Sequence, residues 1–337
     1  MNAHLHGCLL GGALGDALGL PMEGLGARRI ARRLRGPLRP SFFLGRNMVS
    51  DDTEHAVMTA LSLIEEEADP ARFARRLARR LRWWMAALPA GIGLATARSI
   101  IKLWLGWSPD GSGVESAGNG PTMRAPVIGV WFAEDPGLRK AFVEASTLLT
   151  HTDPRALEAA QVVAGAAVLA CAGETDADHI LESLQPHLAS EDFLDRWKEM
   201  RAALAAGETA GALADRIGRK RGYVSGFAPD STAVALYAWL RHRGDFTATV
   251  EAVIRAGGDT DSVAAVAGAL AGIDVGPAGI PDRWKRAWLD WPIRPESMAA
   301  LAAGKTFPYP VWPLALLRNL GFLIVVLGHG LRRLLPF

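Results

Sequence analysis

The chain has 337 residues, 50% of them hydrophobic and 21% charged, with a formal net charge of +2. That length supports a large core plus an appendage, and the composition excludes a disordered, collagen-like or low-complexity protein. So small a net charge gives no reason to expect a nucleic-acid partner, and two cysteines, Cys8 and Cys171, make no disulfide framework, which fits a cytoplasmic protein.

Ala- and Leu-rich helical patterns separated by Gly and Pro recur along the chain while strand signals are scarce, so an all-α fold is expected. The first apolar stretch, Cys8 to Leu20, has no basic segment before it and is interrupted by Asp16, unlike a signal peptide. Gly11, Gly12, Gly15 and Gly19 surround Asp16, a density that permits close helix approach and would let the carboxylate reach a crowded interior. Ser50-Asp51-Asp52-Thr53 then runs into a helix whose Val57, Ala60, Leu61 and Ile64 recur on one face. Phe73, Leu77, Leu81 and Trp84 follow at helical spacing, with Arg72, Arg75, Arg76, Arg79, Arg80 and Arg82 covering the remaining surface. After Asp153-Pro154, a stripe of Leu157, Gln161, Ala164, Val168 and Cys171 is expected along another helix.

Two loops, Gly106 to Pro126 and Gly222 to Pro229, are rich in Gly, Pro and Ser, and long segments of this kind inside a helical core usually serve a site. Gly257-Gly258-Asp259-Thr260-Asp261-Ser262 leads into Val263 to Gly272, a helix apolar all round and therefore expected at the centre. Beyond residue 275 the chain turns rich in Trp and Pro, which divides it into a domain, 1–275, and an extension, 276–337. Gly321 to Gly330 is apolar for only about ten residues against the ~20 of a spanning helix, and Arg318 and Asn319 interrupt the longer run. The tail is expected to pack on the domain or a partner, with interfacial membrane contact as the alternative. Arg332 and Arg333 would suit anionic lipid there.

The two acidic clusters carry the chemistry. One carboxylate at a helix N-terminus is ordinary capping, and for either cluster alone that reading stands open beside metal binding. Asp51, Asp52, Asp259 and Asp261 brought together would raise one another's pKa unless a cation neutralised them. Oxygen ligands without Cys or clustered His point to Mg²⁺ or Mn²⁺ rather than Zn²⁺.

Five segments in this order resemble the ADP-ribosylglycohydrolase family over nearly all of residues 7–275. They are Gly15-Asp16-Ala17-Leu18-Gly19 with Glu23; Ser50 to Glu54; Gly118-Asn119-Gly120-Pro121-Thr122-Met123-Arg124; Thr150 to Pro154; and Gly257 to Ser262. The resemblance implies a compact orthogonal helical bundle with two Mg²⁺ or Mn²⁺ ions at the mouth of its central helices. It implies Ser50, Asp51, Asp52, Asp259, Asp261 and Ser262 as metal ligands, with Glu23 as a mobile ligand that gates the site. Many relatives have Thr at the position of Ser50, and the hydroxyl survives. Gly118, Asn119, Gly120, Met123, Arg124, His151 and Tyr223 are the expected substrate contacts, with Trp107 a further candidate for stacking on adenine. Taken alone, His151 also reads as a structural histidine and Arg124 as a buried ion partner. The expected function is metal-dependent hydrolysis of the bond between ADP-ribose and a protein side chain, arginine first, with free ADP-ribose as product. Asp51 or Asp52 would be the base. Serine-linked ADP-ribose, O-acyl-ADP-ribose and a non-catalytic ADP-ribose- or partner-binding module of the same fold are the alternatives.

Overall fold

The structure, a computed structural model, describes residues 2–218 and 223–334. Gly222, the first residue of the second glycine-rich loop, and the side chains of Arg332 and Arg333 lie outside the described residues.

The N-terminal half comprises α1 (Ala3–Gly19), α2 (Ala27–Arg33), α3 (Asp51–Glu65), α4 (Pro70–Ala86), α5 (Leu94–Trp104), α6 (Ala125–Trp131), α7 (Pro136–Leu148) and α8 (Pro154–Cys171). Then follow α9 (Ala177–Leu184), α10 (Glu191–Ala205), α11 (Ala210–Ile217), α12 (Ala228–Arg241), α13 (Phe246–Ala256) and α14 (Thr260–Gly279). The chain closes with α15 (Asp282–Lys285), α16 (Pro295–Ala302) and α17 (Trp312–Leu334). Local chemistry sets many of the starts: Asp69, Asp135 and Asp153 each accept first-turn N–H bonds immediately ahead of a proline at the first helical position. Among the described residues the one ladder is β1 (Leu25–Gly26) against β2 (Gly257–Gly258), antiparallel, with Leu25 opposite Gly258. It joins the loop after α1 to the loop before α14.

Helices α1 and α14 form the axis of the molecule. A Cβ placed on Gly15 would lie 1.9 Å from the Ala264 carbonyl oxygen, and one on Gly11 would lie 2.3 Å from that of Gly268. The two backbones therefore touch, which no residue larger than glycine at these positions would allow. Helix α14 is buried from Thr260 through Ile273, at the centre where its composition placed it. On α4, Phe73, Leu77, Leu81 and Trp84 are fully buried, while most of the arginine face is exposed.

Three expectations need correction. The buried residues of α8 run from Ala156, Ala159 and Ala160 through residues 162–167 to Ala170, so of the expected stripe Ala164 is buried, whereas Leu157, Gln161, Val168 and Cys171 are only half-buried. Small side chains let α8 approach α6 and α12 closely, so its larger residues are pushed to the rim. Nor does the core divide after residue 275. Ile280, Trp284, Ile293, Met298, Leu301 and Tyr309 belong to the same buried cluster as α1 and α14, and the Asn2 N–H bonds the Ala302 carbonyl at 2.8 Å. Finally, Arg318 and Asn319 do not interrupt the tail. Helix α17 is continuous over 23 residues, and Trp312–Leu331, with a mean hydropathy of 1.8, is long and apolar enough to cross a membrane by length and composition.

Candidate metal centre and substrate cleft

The N-terminus of α3 is capped from outside its own sequence. Asp16, fully buried on α1, accepts the Ser50 N–H at 2.9 Å, the Thr53 N–H at 3.3 Å and the Thr53 hydroxyl at 2.5 Å. With Asp16 and the Ser50 hydroxyl serving the first turn, neither Asp51 nor Asp52 is needed as a cap. Asp52 Oδ2 instead accepts the hydroxyls of Ser50 at 3.2 Å and Ser262 at 3.1 Å, so the two acidic clusters meet directly. Asp259 Oδ2 accepts the Asn119 side-chain N–H at 2.8 Å. Asp52 Oδ1 and Asp261 Oδ1 are buried and meet no donor.

A second layer holds the loop that carries Ser50, Asp51 and Asp52. Glu54 accepts from Trp84 Nε1 at 2.7 Å and the Tyr309 hydroxyl at 2.6 Å, and the Arg318 guanidinium lies 3.5 Å away. Arg318 bonds Asp290 at 3.0 Å and donates to the Val49 carbonyl, while Asp290 accepts the Val49 N–H at 2.8 Å. Both polar groups of the residue before Ser50 are thus fixed by the C-terminal part of the chain.

Burial pushes Asp51, Asp52 and Asp261 well above the usual carboxylate range, and their acidic neighbours add to it. Asp16 and Glu54 act on Asp51, Asp51 and Asp16 on Asp52, and Glu23 and Asp259 on Asp261. Asp16 is raised by burial to about 6, against the pull of its four hydrogen bonds. Among the described residues, no three carboxylate, His or Cys side chains are drawn together tightly enough to enclose an ion. The donor set nevertheless fits a hard divalent cation: orphaned carboxylate oxygens on Asp52 and Asp261, hydroxyls on Ser50 and Ser262, and negative charge with no Lys or Arg among the described lining residues.

Of these, Asp261 and Ser262 open onto a cleft of about 470 Å³, a volume suited to a nucleotide-sized ligand. Glu23, Asp51, Asp259, Asp261 and Ser262 form its acidic side, and Gly118, Asn119, Gly120, Met123, His151 and Tyr223 line it as well. Backbone bonds stitch the loops into one wall: Asn119 N–H to the Gly226 carbonyl at 2.9 Å, Asp259 N–H to Val224 at 2.9 Å, and Gly24 N–H to Gly258 at 2.8 Å. Gly120 permits a close pass, since a Cβ there would lie 2.9 Å from His151 Cε1. Burial and the nearby Arg124 push His151 down to about 3, so it is a neutral imidazole at physiological pH, with Nδ1 2.8 Å from the Thr150 hydroxyl.

Ser50 and Asp52 sit behind the cleft wall. Arg124 does not reach the cleft, which corrects its place among the substrate contacts. It is fully buried, and its guanidinium is committed to Ser146, Thr150 and His55 at 2.8 to 3.0 Å. Trp107 also lies off the cleft, with the Lys102 ammonium 4.8 Å from its ring centre. Thr96, Ser116 and Ser225 line the cleft and were not singled out in the sequence. The two serines lie in the glycine-rich loops, so a count of hydroxyls there would have found them, whereas Thr96 on α5 carries no local signal.

Comparison with known proteins places the chain in a family. The ADP-ribosylglycohydrolase family description matches residues 2–308. The chain is similar to ADP-ribosylhydrolase ARH3 of Gallus gallus, 27% identical with 85% of this chain and 89% of the relative covered. It is also similar to ADP-ribosylarginine hydrolase Tri1 of Pseudomonas putida (strain GB-1), 30% identical with 84% and 74% covered. A solved structure described as an ADP-ribosylglycohydrolase-related protein complex superposes with a TM-score of 0.66 at 29% identity, covering 90% of this chain and 96% of that one. The chain therefore belongs to the ADP-ribosylglycohydrolase family, and it is an ADP-ribosyl hydrolase.

Proposed function

We propose that this enzyme reverses mono-ADP-ribosylation by hydrolysing the N-glycosidic bond between ADP-ribose and an arginine side chain of a protein, with two Mg²⁺ or Mn²⁺ ions bound. The observation that carries this reading is the meeting of both acidic clusters and the Gly118–Gly120 wall in one cleft. The likeness to a relative named for ADP-ribosylarginine supports arginine as the acceptor.

Ser50, Asp51, Asp52, Asp259, Asp261 and Ser262 would hold the ions, with Glu23 at the mouth. When bound, such ions would hold the crowded carboxylates ionised, orient the vicinal hydroxyls of the distal ribose and acidify a nearby water. Of the two candidate bases, Asp51 lines the cleft while Asp52 is occupied by two hydroxyls behind it, which favours Asp51. Asp51 would accept a proton from the attacking water as its oxygen bonds the anomeric carbon. The C–N bond breaks with its electron pair moving to the guanidine nitrogen, which takes up a proton. Asn119, Gly120 and the neutral His151 would face the diphosphate without adding negative charge.

The test is release of free ADP-ribose from defined arginine-, serine- and O-acyl-linked substrates with Mg²⁺ or Mn²⁺, repeated for Asp261→Ala. Turnover of the arginine conjugate that disappears in the variant is expected. Turnover confined to serine or acyl linkages would move the acceptor. ADP-ribose binding without any turnover would overturn the hydrolytic reading.

A further inference from the structure

Helix α17 has its polarity inverted. Its polar side chains between Trp312 and Leu331 turn toward the protein: Arg318 to Asp290, Asn319 Nδ2 to the Ala87 carbonyl at 2.8 Å, and His329 stacked on Phe42 with ring centres 5.1 Å apart. The outward positions are apolar or glycine throughout, with Leu317 at 63%, Ile324 at 71% and Leu331 at 67% exposure. Only 22% of the Trp312–Leu331 window is buried. The apolar surface continues beyond the helix. Leu44, 87% exposed, stands at the tip of a turn closed by paired bonds between Phe43 and Arg46, and Phe43 and Leu44 share a groove with Ile324 and Gly328. Arg46, exposed at the base of that turn, is cationic.

A helix face bathed in water is ordinarily charged, and an apolar patch this large on a monomer marks an interaction surface. Its width identifies the occupant. At 3.6 residues per turn the outward positions cover roughly 200° of the circumference, twice the stripe that one packed helix fills. A continuous apolar medium meets that arc; a single helix of a second copy would leave its flanks in water. The contacts of Arg318 hold α17 along the domain, so it lies on a surface rather than across one.

We propose that the outer face of α17, with the Phe43-Leu44 tip and Arg46, is a bilayer-binding surface that seats the enzyme in the interface of an anionic membrane. Apolar side chains would enter the headgroup and acyl boundary while the guanidinium of Arg46 meets lipid phosphate. Helix α17 lies beyond residue 308, where the family match ends, whereas the Phe43-Leu44 tip and Arg46 lie within it.

The experiment is co-sedimentation of the full chain with vesicles of phosphatidylcholine alone or mixed equally with phosphatidylglycerol. Wild type should pellet with the mixed vesicles. Ile324→Glu/Leu327→Glu should partition about tenfold or more weakly, with circular dichroism and melting temperature unchanged. Leu44→Glu, away from the helix, should weaken binding in the same direction, and Arg46→Glu should abolish the preference for phosphatidylglycerol. Wild type left in the supernatant of both vesicles would overturn the proposal. So would a lipid-free dimer, seen by light scattering, that the double substitution converts to monomer without changing vesicle binding, because a second copy would then own the face.

Discussion

Ser262 donates its hydroxyl to Asp52 Oδ2 at 3.1 Å, across 210 residues of sequence, and this bond joins the two acidic clusters. Asp52 is buried with its other oxygen unpartnered, so as an anion it is stabilised only by two hydroxyls. Asp52→Asn should therefore raise the melting temperature in chelator, by removing a buried charge, and abolish the increase that Mn²⁺ is expected to give the wild type. Ser262→Ala should be milder, weakening Mn²⁺ binding by roughly 10- to 100-fold. Differential scanning calorimetry and titration calorimetry read both. An undiminished Mn²⁺ response in Asp52→Asn would remove that residue from the ligand set.

Gly15→Ala tests the contact that aims Asp16. The new Cβ would meet the Ala264 carbonyl oxygen at 1.9 Å, a clash with backbone that neither helix can relieve by turning a side chain. Overpacking of this kind costs about 3 kcal/mol or more, read as a lower urea midpoint. Gly12→Ala is the control, because its Cβ would come no nearer than 3.3 Å to Ala265 and should cost under ~1 kcal/mol. Equal effects of the two substitutions would mean that propensity, not contact, sets the outcome.

Acid should destabilise the protein through His151. Its folded pKa is about 3, against about 6.5 in the unfolded chain, so the unfolded state binds more protons between those values. Stability consequently rises with pH through that window and is lost as pH falls toward 3. His55, also driven down by burial and by Arg124, acts in the same direction. Urea melts at pH 7 and pH 4.5 should show a larger loss for wild type than for His151→Asn, which has no proton to gain. Parallel losses would exclude His151 as a source of the acid sensitivity.

Legibility in the sequence followed the range of the interaction. Ser50 to Thr53 and Gly257 to Ser262 stood out because their carboxylates and hydroxyls sit within a few residues of one another and each cluster opens an apolar helix. The spacing of Gly11, Gly15 and Gly19 likewise announced a close helix contact. What could not be read was which distant group completes each local feature. Asp16 caps α3 from 34 residues away, which released Asp51 and Asp52 from the capping role. The alanine face of α8 was not legible because tight packing selects small side chains, whose weak hydropathy leaves little periodic signal. Arg318 resembled a break in an apolar run because its partners Asp290 and Glu54 lie elsewhere in the chain.

That arginine supplies the most demanding test of how the tail serves the site. Arg318 is buried with Asp290 and Glu54, and with Asp290 it fixes the carbonyl and the N–H of Val49, next to Ser50, a proposed metal ligand. Arg318→Met keeps the apolar stem but leaves two buried carboxylates without their cation, so a loss of about 3–5 kcal/mol in stability is expected. Asp290→Asn with Arg318→Met should recover part of that loss, since one orphaned charge is gone. If the pair only stabilises the fold, the recovered variant will bind Mn²⁺ as the wild type does. If it positions the Ser50 loop, Mn²⁺ affinity stays low even where stability returns, because the Val49 carbonyl has lost its donor. The second outcome is the one expected from the geometry, and titration of Mn²⁺ into the double variant at a temperature where it is folded separates the two.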